Sequence, residues 1–288
     1  MNRQRQEINM QLSHEDVLNI LPDRKPDSHK GNYGKILLLC GSRGFTGAAA
    51  LAAMGALRSG AGLVYLGVPE SIYAIEAVKL TEAVVFPLPE EDGKLSAKAI
   101  PEIRKYLHTV DAVLIGCGLG ISTGTMAVLD AVLREFKGSV VVDADGITML
   151  ASCPELQKVR KFPTIITPHE GEFCRLNIAL AEDWLTGAMQ VAKELGCIVL
   201  RKGHNTVITD GESRYINPTG NPGMAVGGSG DVLAGILVSL LGQGIDPLKA
   251  AACAAWIHGA AGDRCAEKIG QYGMLPTDMV AELPYLLK

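Results

Sequence analysis

Along the chain, short apolar runs alternate with longer stretches in which apolar residues recur at helical spacing. Lys35-Ile-Leu-Leu-Leu-Cys40 predicts a buried strand, followed by a glycine-rich turn and an Ala-rich helix over 47–59. Further strands are predicted over 63–68, 111–115, 139–142, 164–167 and 198–200, with helical patterns between them, one of them near 125–136. Strands that are apolar on both faces and separated by helices predict a mostly parallel sheet covered on both sides. Thr206-Val-Ile-Thr209 and residues 213–216 flank Asp210-Gly211, which predicts a late β-hairpin. Residues 227–241 and 247–269 read as two long helices. Residues 1–28 read as a lead-in, with a short helix capped by Ser13 and with Pro22 and Pro26 as breakers. No internal repeat or low-complexity linker interrupts residues 29–288, which are expected to form one α/β domain.

Composition narrows the classes. Of 288 residues, 48% are hydrophobic and 20% charged, an ordinary globular balance. A net charge of −4 supplies no basic footprint, so no nucleic-acid partner is expected. The 33 glycines suit tight turns and close backbone approach to ligands. Cys40, Cys117, Cys153, Cys174, Cys197, Cys253 and Cys265 are odd in number and widely spaced, and they predict buried thiols rather than a disulfide framework or a zinc site. The longest apolar run, over 232–241, is far short of the ~20 residues that cross a bilayer. Residues 1–16 are polar and unlike a secretory signal, and the expectation is a cytoplasmic protein with no membrane partner.

In a parallel α/β sheet, ligands sit where strands end and loops enter helices. Five predicted strand ends carry glycine, charge or both: Gly41-Ser-Arg-Gly44-Phe-Thr-Gly47-Ala48, Gly116-Cys-Gly118-Leu-Gly120, Asp143-Ala-Asp145-Gly146, Pro168-His169-Glu170-Gly171-Glu172 and Lys202-Gly203-His204-Asn205-Thr206. The first turn lacks the Lys-Ser/Thr ending of a P-loop and the spacing of a dinucleotide fingerprint; it serves either backbone approach to a ligand or helix packing. The strongest feature is Gly227-Gly228-Ser229-Gly230-Asp231, which opens an apolar helix. Amides of Gly228, Ser229 and Gly230 at a helix N-terminus make an anion hole. An aspartate inside such a hole repels an idle anion, yet it is well placed to take a proton from a hydroxyl that attacks a phosphoryl group. The alternative for Asp231 is a first-turn acid favoured by the helix dipole.

The stretch Ala225-Val-Gly-Gly-Ser-Gly-Asp-Val-Leu-Ala-Gly235 resembles the phosphoryl-transfer signature of ribokinase-like kinases. His29-Lys-Gly31, residues 41–49, Gly118-Leu-Gly120, Asp143-Ala-Asp-Gly146, Thr167-Pro-His-Glu-Gly-Glu172 and Arg201-Lys-Gly203 narrow the resemblance to the nucleotide-dependent NAD(P)H-hydrate dehydratases. The ordered set runs from residue 29 to the C-terminus. Some members of that family carry an N-terminal epimerase domain, for which the residues before His29 leave no room. Cys117 stands where the family usually has proline, and His204-Asn205 where a small residue is common.

The resemblance implies a ribokinase-like α/β fold and ADP-dependent dehydration of the S-form of NADH or NADPH hydrate, releasing AMP and phosphate. It implies Asp231 as catalytic base and Ala48, Gly120, His169 and Asp231 as hydrate contacts. Lys202, Gly203, His204, Asn205, Thr206 and Gly230 would contact the nucleotide, with ADP (or ATP) as donor and Mg²⁺ balancing its charge. A homo-oligomer, with a tetramer as one form, is also implied. Asp143, Asp145 and Glu172 carry no assigned role, no metal ligand is named, and His258 reads as a core histidine. A kinase for a small alcohol or vitamin precursor on the same fold is the nearest rival. A Rossmann dehydrogenase and a non-catalytic nucleotide sensor are further ones.

Overall fold

In strand β1 (Lys35–Leu39) every residue after Lys35 is buried. Ile36 and Leu38 pack into one apolar layer, and Leu37 and Leu39 into another on the opposite side. A strand with two buried faces needs helices above and below it, and the chain supplies them. The computed structural model describes residues 10–158, 160–178 and 183–288; residues 1–9 of the lead-in lie outside it.

Helix α1 (His14–Ile20) precedes β1, which is followed by α2 (Thr46–Arg58), β2 (Leu63–Pro69), α3 (Glu70–Lys79) and β3 (Val84–Leu88). A ribbon of β4 (Glu90–Glu91) and β5 (Lys94–Leu95) leads to α4 (Ile100–Leu107), β6 (Ala112–Ile115), α5 (Thr123–Glu135) and β7 (Ser139–Val142). Then come α6 (Asp145–Ser152), α7 (Glu155–Lys158), β8 (Thr164–Ile166), α8 (Glu170–Arg175), α9 (Trp184–Leu195) and β9 (Ile198–Arg201). Strands β10 (Thr206–Thr209) and β11 (Arg214–Asn217) and helices α10 (Ser229–Gly242), α11 (Pro247–Ile269) and α12 (Pro276–Leu286) complete the chain.

Among the described residues, nine strands form one sheet in the order β11-β10-β9-β8-β7-β6-β1-β2-β3. From β3 to β9 all neighbours run parallel, while β10 and β11 extend the edge as an antiparallel meander. The α/β class, the mostly parallel sheet with helices on both faces and the late hairpin are thus as expected. Strand β3 was not in the sequence reading: it is an edge strand carrying Pro87, and proline weakens a strand pattern while being tolerated at an edge.

Helices α2, α10, α11 and α12 cover one face, and α4, α5, α6 and α9 the other. Helix α10 is apolar nearly all round because it is buried nearly all round. It crosses α2 at two glycines. A Cβ on Gly235 would overlap the Ala52 carbonyl, and one on Gly55 would come within 2.7 Å of the Val232 carbonyl. The described part of the lead-in packs on the same layer: Val17 is fully buried, His14 stacks on Trp256 and Met10 bridges to Tyr215. No helix among the described residues is long and apolar enough to cross a membrane.

Candidate active site

The five loops singled out by sequence follow β1, β6, β7, β8 and β9, which lie side by side in the sheet. Their ends therefore form one continuous edge. Strand order reverses between β1 and β6, the switch point at which a crevice opens in such sheets. There the Gly41 amide donates to the Cys117 carbonyl at 2.8 Å and Ser42 Oγ to the Gly118 carbonyl at 2.8 Å.

Helix α10 enters this edge through its N-terminus. Gly228 has φ 96°, and a Cβ there would also overlap the Leu51 side chain, so glycine is needed on both counts. The Ser229 amide donates back to the Val226 carbonyl at 3.3 Å, whereas the Gly228 and Gly230 amides have no partner among the described residues. Two free N–H groups at the positive end of a 14-residue helix suit an anion. Ser229 Oγ and His258 Nε2 share a hydrogen bond at 3.2 Å. His258 is buried, and burial pushes its pKa down to about 4, so this imidazole is neutral at physiological pH.

The charges beside the turn are tightly coupled. Asp143, 2% exposed, accepts from Thr167 Oγ1 at 2.6 Å and from Lys202 Nζ at 2.9 Å. Lys202 Nζ also lies 3.7 Å from Glu172. Burial opposes the Lys202 charge, but the carboxylates of Asp143 and Glu172 outweigh it and raise the pKa. A Cβ placed on Gly230 would sit 3.3 Å from Lys202 Nζ, which puts the cation directly against the turn. Asp231 has its pKa raised to about 6, first by burial and then by Asp143, with the Cys117 thiol and Lys202 pulling the other way. One oxygen each of Asp143 and Asp231 and the Cys117 sulfur lie within 4.8 Å of one another. Cys117 itself is pushed well above the usual thiol range by Cys40, by burial and by the nearby carboxylates.

His169 caps α8. Its Nδ1 accepts from the amides of Gly171 (2.9 Å) and Glu172 (3.3 Å), and Glu172 Oε2 accepts the His169 amide at 2.8 Å. An accepting Nδ1 leaves the ring proton on Nε2, beside Glu172 Oε1 at 3.5 Å.

A cleft of about 880 Å³ brings together His169, the run from Lys202 to Thr206, and the turn from Gly228 to Asp231. Ala48 and Gly120 do not line it; a Cβ on Gly118, two residues before Gly120, would meet Ala48 Cβ at 2.8 Å. A second depression of about 690 Å³ runs along α9 and Arg214 and contains none of these residues. Two contributors escaped the sequence reading. His258 is not only a core residue but reaches the anion turn, and the 217–221 loop closes the far side of the cleft. That loop is held by α11: Asn217 Nδ2 donates to the Ala255 carbonyl at 3.1 Å, and Asp263 accepts the Gly220 amide at 2.9 Å. No local pattern announces contacts between residues that far apart in sequence.

A family model described as NAD(P)H-hydrate dehydratase matches residues 36–285. The bifunctional NAD(P)H-hydrate repair enzyme of Moorella thermoacetica is 44% identical over 275 residues, 93% of this chain and 52% of that protein. The chain thus spans about half the length of that relative. Among solved structures, a ribokinase-like superfamily protein from Enterococcus faecalis superposes with a TM-score of 0.84 at 29% identity, covering 99% of this chain and 98% of that one. The ADP/ATP-dependent NAD(P)H-hydrate dehydratase from Bacillus subtilis, co-crystallised with ATP and Mg²⁺, superposes with a TM-score of 0.80 at 31% identity, covering 95% and 96%. With a glycine turn, a raised carboxyl and a half-buried lysine meeting at one edge of this sheet, the chain belongs to the NAD(P)H-hydrate dehydratase family.

Proposed function

We propose that this chain restores NADH and NADPH from the S-form of their hydrates, with ADP as phosphoryl donor and AMP and phosphate as products. The observation that carries this reading is the Asp231 carboxyl, held at a pKa of about 6 beside the two free amides of the turn and against Lys202. A base near neutrality is charged when it is needed and strong enough to accept a proton. In this account Asp231 takes the proton of the hydrate's ring hydroxyl as the oxygen attacks the terminal phosphorus of the nucleotide. The bond from that phosphorus to the AMP oxygen breaks. The Gly228 and Gly230 amides and Lys202 stabilise the charge on the transferring group. Phosphate then leaves with its electron pair, assisted by the ring nitrogen, and loss of a proton from the adjacent carbon restores the double bond. Phosphorylation matters because hydroxide is a poor leaving group at neutral pH and phosphate a good one.

Ala48, Gly120 and His169 are assigned to the hydrate, and Lys202, Gly203, His204, Asn205, Thr206 and Gly230 to the nucleotide. Ser229 contributes its hydroxyl, oriented by His258. The hard oxygens of Asp143 suit Mg²⁺ brought by the nucleotide, whereas the protonated, buried Cys117 thiol does not. Such an ion would offset phosphate charge. Residues 29–288 act as one catalytic unit in the cytoplasm, and a homo-oligomer is carried over from the family. Phosphorus NMR of the reaction separates the readings: AMP and free phosphate in step with hydrate loss support dehydration. An accumulating phosphate ester contradicts it and favours a small-alcohol kinase.

A further inference from the structure

The turn Asp143-Ala144-Asp145, between β7 and α6, aims two carboxylates at different parts of the site. The Asp143 carbonyl accepts the Gly146 amide at 2.9 Å, closing a four-residue turn. Ala144 takes φ 48° and ψ −116° at its first central position, a conformation that ordinarily requires glycine. The turn is wedged in place: a Cβ on Gly116 would overlap the Asp143 carbonyl, and one on Gly146 would come 2.9 Å from the Ile115 carbonyl. The Asp143 side chain therefore faces Thr167 and Lys202. Asp145 behaves differently. It opens α6, yet the start of that helix has no side-chain cap. Its carboxylate instead reaches back 25 residues to accept the Gly120 amide at 2.7 Å. Gly120 has φ 75°, and its loop is otherwise tied by Ser42 to the Gly118 carbonyl and by Lys94 Nζ to the Ile121 carbonyl at 3.3 Å.

We propose that Asp145 is a positioning residue for the hydrate: it fixes the Gly118-Leu119-Gly120 loop in register with the Asp143–Lys202 pair, so that one strained turn sets the spacing between the substrate loop and the nucleotide half of the cleft. This rests on the reading of Gly120 as a hydrate contact. A first-turn acid serving only the helix dipole has no need to accept a distant amide. Asp145 also lies outside the group of Cys117, Asp143 and Asp231 that converges closely enough to hold a cation.

Two variants test it. Asp145→Ala removes the acceptor, while Asp145→Asn keeps an oxygen at the same reach. With Asp145→Ala, KM for the hydrate rises about tenfold, the scale of one hydrogen bond to a charged group, and KM for the nucleotide stays within about twofold. Asp145→Asn recovers most of the loss. Independently of turnover, amide hydrogen exchange across residues 118–121 of the ligand-free protein accelerates at least about tenfold in the alanine variant and little in the asparagine variant. Unchanged hydrate KM with unchanged exchange overturns the proposal. So does an equal loss for hydrate and nucleotide, which marks general damage to the site. Failure of the wild-type protein to turn over hydrate would sink the functional reading instead, and the exchange comparison would still decide whether Asp145 holds the loop.

Discussion

Burial and the Asp143 charge hold the Asp231 carboxyl at about 6, where an unhindered aspartate would titrate near 3.8. The base must be ionised to act, so turnover should fall as pH drops through about 6. Lys202 lowers the Asp231 pKa, so Lys202→Met should move that acid limb upward, to above 6, in addition to weakening nucleotide binding. The pH profile of kcat/KM, which reports groups of the ligand-free enzyme, checks both. Asp231→Asn should lower turnover by about 10²-fold or more, with nucleotide affinity within a few fold. The same variant makes a stability prediction. A raised carboxyl pKa means that the folded state holds this proton more tightly than the unfolded one, so its contribution is fully present below about 3.8 and lost as pH rises through about 6. At pH 7 the ionised group therefore opposes folding by on the order of 2–3 kcal/mol. Asp231→Asn should melt higher than wild type at pH 7, with the difference shrinking toward pH 4. Equal melting temperatures at pH 7 would contradict the assigned environment.

Elements made of small residues do much of the positioning. The α2–α10 crossing depends on Gly55 and Gly235, and it sets where the anion turn meets the sheet edge. Gly235→Ala gains about 1 kcal/mol of helix propensity but drives a methyl into the Ala52 carbonyl. Backbone cannot step aside as a side chain can, so a net loss of about 1–3 kcal/mol is expected, read as a lower urea midpoint, with turnover falling alongside it. A neutral or stabilising result would show that the crossing has slack. At this scale much was legible from sequence. Two-sided apolar runs identified β1, β6, β7, β8 and β9 because buried parallel strands need no polar face. Strand β3 was not legible, since Pro87 reads as a breaker until the sheet edge is known. The short β4–β5 ribbon carries too few residues to show a period.

Across the molecule, the site is where adjacent strand ends, the N-terminus of α10 and the face of α11 converge. The strand-end loops and the Gly-Gly-Ser-Gly-Asp turn could be found from local chemistry, because glycine and charge are conspicuous after an apolar strand. The partners that tune them could not. Thr167 and Lys202 meet Asp143 only once β7, β8 and β9 pair, and His258 meets Ser229 only once α11 folds over α10. Of the residues the proposed mechanism assigns to hydrate and nucleotide, His169, Lys202 and Asp231 line the cleft, whereas Ala48 and Gly120 do not. The most direct test is absorbance at the reduced-nicotinamide band, with NADH hydrate, Mg²⁺ and ADP or ATP, for wild-type protein and Asp231→Asn. A nucleotide-dependent rise in wild type that is nearly absent in the folded variant is the predicted result. No rise with either nucleotide, or an undiminished rise in the variant, would contradict the account.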